Sequence, residues 1–451
     1  MPKHPRPPGP PNRLGRGNLR GMMQDQLRYM TAAAKYGPLV DLPILFERYV
    51  LVLDPDLIQQ SLAQRHSAMQ KDRFTHELAR VLGQGLVTSE GALWRTQRKQ
   101  VAGAFTPRRI RTYADSMVAA AHRSLDDWSD GRVIPIHKAM AELTLDIVGR
   151  TLFDADVRGT AREVGDALKV ISDFYSDVLE SPMKPPEWWP SPRMFRFRKA
   201  VRNLDRIVSG IIDDRRRSGE DRGDLLSALL QAQDDDGAAM SDQQLRDECI
   251  TLFLAGHETT SIALANTLYL LSKHPEIEAR VHQEAANLLA DRRATSDDYD
   301  RLEYTVRVIK ESMRLYPPVY TIGRQLLEDF ELGGYTFAKG DTLLFVQWVT
   351  HRSAQWFTDP LHFDPDRWLP ERAKSIHKYA YFPFGGGPRV CIGNHFAMME
   401  AVLVLATLIR EFRFELLPGQ TLELQPAVTL RAAKDLQMRL VGRGAKPARA
   451  A

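Results

Sequence analysis

The run FGGGPRVCIG at 384–393 decides how the rest of the chain is read. Three consecutive glycines lead into Pro388 and Arg389, and a thiol follows at Cys391, just ahead of an apolar helical pattern that begins near Asn394. Glycine lets a backbone approach a large flat surface because no Cβ intervenes. A cysteine at the mouth of a helix feels the positive end of its dipole, which favours the thiolate over the thiol. Arg389 offers a planar fork suited to a carboxylate. A phosphate loop would end in Lys followed by Ser or Thr, and a zinc site would bring more Cys or His at close spacing; this run has neither. A flat ligand that takes a soft anionic donor and itself carries carboxylates is haem, on whose iron a thiolate favours O–O cleavage.

Working outward, the 451 residues are 43% hydrophobic and 26% charged, a folded composition that excludes a disordered chain and a multi-span membrane protein. No apolar run reaches the ~20 residues of a membrane helix, and the start of the chain lacks the apolar stretch of an export signal, so a cytoplasmic protein without a transmembrane anchor is expected. Lys and Arg number 61 against 57 Asp and Glu, with the excess in residues 1–24 and 439–451. Solvated basic ends explain this, and no nucleic-acid motif accompanies them. Two cysteines, Cys249 and Cys391, make no disulfide framework.

The opening MPKHPRPPGPPNRLGRG is rich in Pro, Gly and Arg, which predicts an extended arm over 1–24. Strands are expected at 39–42 and 48–53, then helices from 55 to about 290. SPMKPPEWWPSPRM at 181–194, with five prolines and the pair Trp188-Trp189, reads as a loop. Ser241 and Gln244 form a capping box that opens a long helix, and His274-Pro275 closes it. Apolar nearly all round, that helix is a buried central one of roughly 45–50 Å. FELGGYTFAKGDTLLFVQ at 330–347 reads as a pair of hairpins turning at glycine. The chain shows no internal repeat or separating linker. The fold class is therefore mainly α with small β-sheets, in one large domain over 25–440, with a flexible basic tail over 441–451.

Four more motifs stand around the thiol run: WRTQR at 94–98, AGHETT at 255–260, ESMR at 311–314 and FDPDRW at 363–368. Together with F-x-x-G-x-R-x-C-x-G, matched by Phe384, Gly387, Arg389, Cys391 and Gly393, they resemble the signatures of the cytochrome P450 family, in that family's order. The resemblance implies heme b between the long central helix and the cysteine-loop helix, with its iron on the Cys391 thiolate. Trp94, Arg98 and Arg389 would hold the propionates, with Arg324 as a fourth donor, and Phe384, Gly387 and Gly393 would shape the loop. Glu311, Arg314 and Arg367 would form a buried structural triad rather than a surface pair.

Glu258 and Thr259 indicate the reaction class. A carboxylate beside a hydroxyl in an apolar mid-helix setting is costly without partners or water. Threonine there can bond back to a carbonyl and open the helix groove, and Gly256 lets the backbone come close to a ligand. Within the resemblance this pair delivers protons to bound O2, which implies an oxidoreductase acting as a monooxygenase. Haem-thiolate isomerases, dehydratases and peroxygenases, or a non-enzymatic sensor or carrier, are the alternatives. No flavin or nicotinamide segment is recognisable, so electrons are expected from a separate ferredoxin or flavodoxin with its reductase. Arg95, Lys99, Arg108 and Arg109 could steer an acidic partner. By family position Phe74, Leu86, Val87, Phe253, Ala255, Val319, Ile322 and Val428 line the substrate site. Their mostly apolar character suits a hydrophobic small molecule such as a fatty acid, terpenoid or steroid-like compound.

Overall fold

The Ser241 hydroxyl accepts the Gln244 amide at 3.2 Å, and from there one helix runs unbroken over Asp242–Lys273. Its 32 residues span about 48 Å at 1.5 Å per residue. The computed structural model describes residues 5–11, 16–154, 163–168, 170, 171, 173–175, 191–233, 237 and 239–443. Among these, the helices of nine residues or more are α1 (Arg16–Gln24), α2 (Gly91–Ala102), α3 (Pro107–Asp126), α4 (Ile136–Phe153), α5 (Pro192–Ser218), α6 (Asp242–Lys273), α7 (Pro275–Leu289), α8 (Glu303–Leu315) and α9 (Asn394–Glu411). The strands are β1 (Leu39–Ile44), β2 (Glu47–Val52), β3 (Met69–Lys71), β4 (Val133–Pro135), β5 (Ile322–Leu326), β6 (Phe330–Leu332), β7 (Tyr335–Phe337), β8 (Thr342–Phe345), β9 (Phe412–Leu416), β10 (Leu424–Pro426), β11 (Leu430–Ala432) and β12 (Gln437–Gly442). No described helix is long and apolar enough to cross a membrane.

The chain groups into two compact units. The first comprises Met1–Leu93 and Met313–Cys391. It is built on a five-stranded sheet in the order β1-β2-β8-β5-β3, antiparallel throughout except where β8 runs parallel to β2. Leu39, Val50, Val52, Leu343 and Phe345 fill its core together with Ile58, Phe330 and Phe337. β6 and β7 form the expected hairpin, with Gly333 and Gly334 both at positive φ. The second expected hairpin does not form. β8 leaves β7 and inserts between β2 and β5, where Leu343 and Phe345 are buried. The expected N-terminal arm is also only partly extended. The Pro8 carbonyl accepts the Asp41 amide at 3.1 Å, laying the arm along β1, but Arg16–Gln24 is helical and buries Asn18.

The second unit comprises Trp94–Ser312 and Ile392–Ala451. α6 runs through it, buried on almost every side. The Thr144 hydroxyl of α4 donates to the His257 carbonyl of α6 at 3.0 Å. β12 pairs with β4 and β9 in a three-stranded sheet, while β10 and β11 make a separate hairpin. The helical stretch read from sequence thus hides two three-residue strands, β3 and β4, too short to show a period of two. The expected loop over 181–194 ends early, because α5 starts at Pro192, where proline is tolerated, with Ser191 accepting the Met194 amide at 3.1 Å. The remainder of that loop, Trp188 and Trp189 included, lies outside the described residues, as do 444–451 of the expected tail. Residues 441 and 442 belong to β12.

Candidate functional site

In the first unit, the thiol loop is folded by its glycines. Gly385 and Gly387 sit at φ 74° and 66°, a region that L side chains avoid. A Cβ on Gly387 would lie 1.8 Å from the Leu62 carbonyl oxygen, and one on Gly386 2.4 Å from the Tyr379 ring. The loop backbone is therefore pressed onto residues 60–64 and Tyr379. The Cys391 amide closes it by donating to the Phe384 carbonyl at 3.0 Å, and the Cys391 residue is exposed and in no disulfide. Cys249 is the opposite case: fully buried in α6, its thiol is pushed up by desolvation and is inert.

Beside the loop, Arg389 donates to the Ser89 carbonyl at 2.9 Å and pairs with Glu90. Arg324 on β5 is buried and donates to the Gly323 carbonyl at 2.8 Å. Directly opposite it across the sheet stands Lys71 on β3, whose amide donates to Glu90 at 2.6 Å. Burial first, then Arg324 and Arg389, hold the Lys71 ammonium well below its usual range. Burial likewise lowers Arg324, opposed by the fields of Asp72 and Glu90. Arg389, Arg324 and Lys71 thus gather around Glu90 and Asp72, and a further anionic group here would favour the charged Lys71. A carboxylate-bearing ligand fits this donor set. Two of the four sequence-predicted propionate donors, Arg389 and Arg324, are brought together here. Lys71 was missed, since only the β3–β5 register reveals it.

Arg314 and Arg367 tie together the segment 351–362. Arg314 is fully buried and donates to the carbonyls of His351, Pro360 and His362 at 2.8, 2.6 and 3.2 Å. Arg367 donates to Thr358 and Asp359 at 2.7 and 3.3 Å, and both guanidinium groups lie over the Phe357 ring. Glu311 is also fully buried one turn before Arg314, so these are not surface helix charges.

In the second unit, Trp94 and Arg98 are half-buried one turn apart on α2, while Arg95, Lys99, Arg108 and Arg109 are exposed. From Asp247 to Leu271, α6 is buried except at Leu254, Ala255, Gly256, Glu258, Thr259 and Tyr269. The one accessible window around 254–259 thus coincides with the acid–alcohol pair. The Thr259 hydroxyl donates back to the Ala255 carbonyl at 2.8 Å, as expected. Gly256 also faces α4: a Cβ there would lie 3.2 Å from the Val148 side chain. The Glu258 carboxylate accepts a hydrogen bond from the Thr429 hydroxyl at 3.1 Å. Burial raises its proton affinity, with Thr429 and then Arg431 pulling it back. His257 is buried and held to about 4 by desolvation, which leaves it neutral at physiological pH. Thr429 and Glu400, a fully buried acid near Thr260, carry no motif that sequence reading could use.

The expected substrate residues divide between the units. In the first, Leu86 is buried, Val87 and Val319 are half-buried, and Ile322 reaches the thiol loop 3.3 Å from where a Gly385 Cβ would stand. Phe74 lines a surface cleft with Leu45, Phe46, Tyr49 and Gln325. In the second, Ala255 is exposed and Val428 half-buried, but Phe253 turns inward onto Phe153 with ring centroids 5.8 Å apart and is 1% exposed.

The sequence profile of the family described as cytochrome P450 matches residues 7–437. A relative named cyclooctatin synthase, from Streptomyces melanosporofaciens, is 36% identical over 92% of this chain and 91% of its own length. From the same organism, cyclooctat-9-en-7-ol 5-monooxygenase is 34% identical over 90% and 89%. Pentalenene oxygenase of Streptomyces avermitilis is 32% identical over 95% of each chain. Among solved structures, a cytochrome P450DA heme domain superposes with a TM-score of 0.88 at 28% identity, covering 97% of this chain and 98% of that one. A retinoic-acid-bound cyanobacterial cytochrome P450 gives 0.87 at 26%, covering 98% and 100%. The thiol loop is thus set in a fold shared along nearly the whole chain, and the chain belongs to the cytochrome P450 family as an oxidoreductase of the monooxygenase type.

Proposed function

We propose that this enzyme inserts one oxygen atom from O2 into a hydrophobic, terpenoid-like small molecule, with electrons from a ferredoxin or flavodoxin and its reductase in the cytoplasm. The observation that supports the reaction class best is the accessible window on an otherwise buried helix, where Glu258 and Thr259 stand together. Haem bound at this site, heme b on the Cys391 thiolate, supplies O2 binding and O–O cleavage. The chain's own residues do the rest. Cys391 donates the soft anionic ligand from a loop that three glycines hold in place. Arg389, Arg324 and Lys71 of the first unit, and Trp94 and Arg98 of the second, would hold the propionates. Glu258 stores a proton at its carboxyl, and Thr259 passes it on through its hydroxyl.

Substrate class is inferred from two sources. The printed names of the three relatives concern cyclooctat-9-en-7-ol, cyclooctatin and pentalenene. The side chains of Leu86, Val87, Val319, Ile322 and Val428 are apolar, which suits binding by buried area rather than by an ion pair. For the redox partner, exposed Arg95, Lys99, Arg108 and Arg109 give a positive surface that would steer an acidic electron carrier.

Turnover of candidate terpenoid hydrocarbons and alcohols under 18O2, with a ferredoxin, its reductase and NADPH, tests this reading. It predicts product carrying one 18O atom per molecule. Product formed equally well without electron donors, or carrying oxygen from water, would contradict it.

A further inference from the structure

We infer that Thr429 is a positioning residue for the proton relay: its hydroxyl fixes the Glu258 carboxyl and ties it to the β10–β11 turn that carries Val428. This inference rests on the proposed function. Thr429 is buried at the tip of the hairpin and donates to Glu258 at 3.1 Å. The turn is closed by the Ala427 amide on the Thr429 carbonyl at 3.0 Å, which leaves the side chain of Thr429 free to serve Glu258. Thr259 cannot do so in this arrangement, because its single hydroxyl proton is committed to the Ala255 carbonyl. The acid and the alcohol are therefore held separately, the alcohol by its own helix and the acid by a hairpin more than 160 residues away in sequence, at a separation of 171.

The charged surroundings are simple. Arg431, two residues beyond Thr429, acts on Glu258 from the hairpin, and it is itself anchored by Asp173 at 2.9 Å. On α6, the neighbouring His257 is neutral. A bonded hydroxyl stabilises the carboxylate over the neutral acid, so loss of the hydroxyl must raise the proton affinity of Glu258 further.

The test compares wild type, Thr429→Ser, Thr429→Val and Thr429→Ala as holoenzymes of matched haem content. The protonated-carboxyl stretch is followed by infrared difference spectroscopy through a pH titration and assigned by its loss in Glu258→Gln. Product per NADPH is measured alongside. The expected result is a wild-type midpoint in Thr429→Ser and a rise of about one pH unit in Thr429→Val and Thr429→Ala, since a hydrogen bond to a charged group typically contributes that much. Product per NADPH falls several-fold in the latter two, with little change in KM. Midpoints and coupling unchanged in both Val and Ala variants would overturn the role of Thr429 and leave the monooxygenase reading intact. A shifted midpoint in an enzyme that forms no O2-derived product would uphold the Thr429–Glu258 link and sink that reading instead.

Discussion

Replacing Gly387 with alanine is a direct physical test of how the thiol loop is built. Two penalties apply. At φ 66° the new side chain occupies a left-handed conformation, which costs about 1–2 kcal/mol. Its Cβ would also stand 1.8 Å from the Leu62 carbonyl oxygen, roughly half an ordinary contact, and a backbone atom cannot rotate away. Forcing the loop off its seat adds about 1–3 kcal/mol, as in overpacked cores. Gly385→Ala is the internal control. It pays the same conformational penalty at φ 74°, but its Cβ meets only the Ile322 methyl at 3.3 Å, the movable end of a side chain. Denaturant unfolding of both variants should therefore show a loss of about 1–2 kcal/mol for Gly385→Ala and a larger one, about 2–5 kcal/mol, for Gly387→Ala, at constant m. Gly387→Ala should also bind less haem per polypeptide. Equal losses in the two variants would refute the idea that backbone contact with residues 60–64 seats the loop.

Arg314→Ala strips three backbone carbonyls of their buried donor and should cost more than 3 kcal/mol in unfolding, or leave the protein insoluble, whereas a surface-pair loss would cost under 1 kcal/mol. Burial pushes the Glu400 carboxyl well above its ordinary 4.5. An acid raised in the fold contributes fully below its unfolded pKa, and that contribution is lost as pH climbs towards the folded value. Thermal unfolding from pH 4 to 8 should therefore show wild type losing ground steadily to Glu400→Gln, and a pH-independent difference would argue against a buried neutral acid. Thr259→Ala should keep substrate-induced spin-state changes while diverting electrons into hydrogen peroxide; unaltered coupling would remove Thr259 from the relay.

Much of this site is legible in sequence because its chemistry is local. Cys391, Gly387 and Arg389 fall within five residues, and Glu258 with Thr259 falls within one turn of a helix whose Ser241 cap and Pro275 stop are written in residue type. What was not legible depends on pairing across distance. Lys71 joins Arg324 only through the β3–β5 register, and Thr429 meets Glu258 only because a C-terminal hairpin folds back onto α6. The contact of Gly256 with Val148 has the same cause, since only the packing of α4 on α6 brings the two together. Similarly, β8 has hairpin spacing from β7, yet burial of Leu343 and Phe345 in the larger sheet outweighs that local option.

The absorption spectrum of the dithionite-reduced holoprotein with carbon monoxide, in wild type and Cys391→Ser, tests the central claim most directly. Thiolate ligation by Cys391 predicts a strongly red-shifted Soret band in wild type that is lost in the variant while haem content is largely kept. A wild-type band at the ordinary haem–CO position, or a red-shifted band that survives Cys391→Ser, would contradict it.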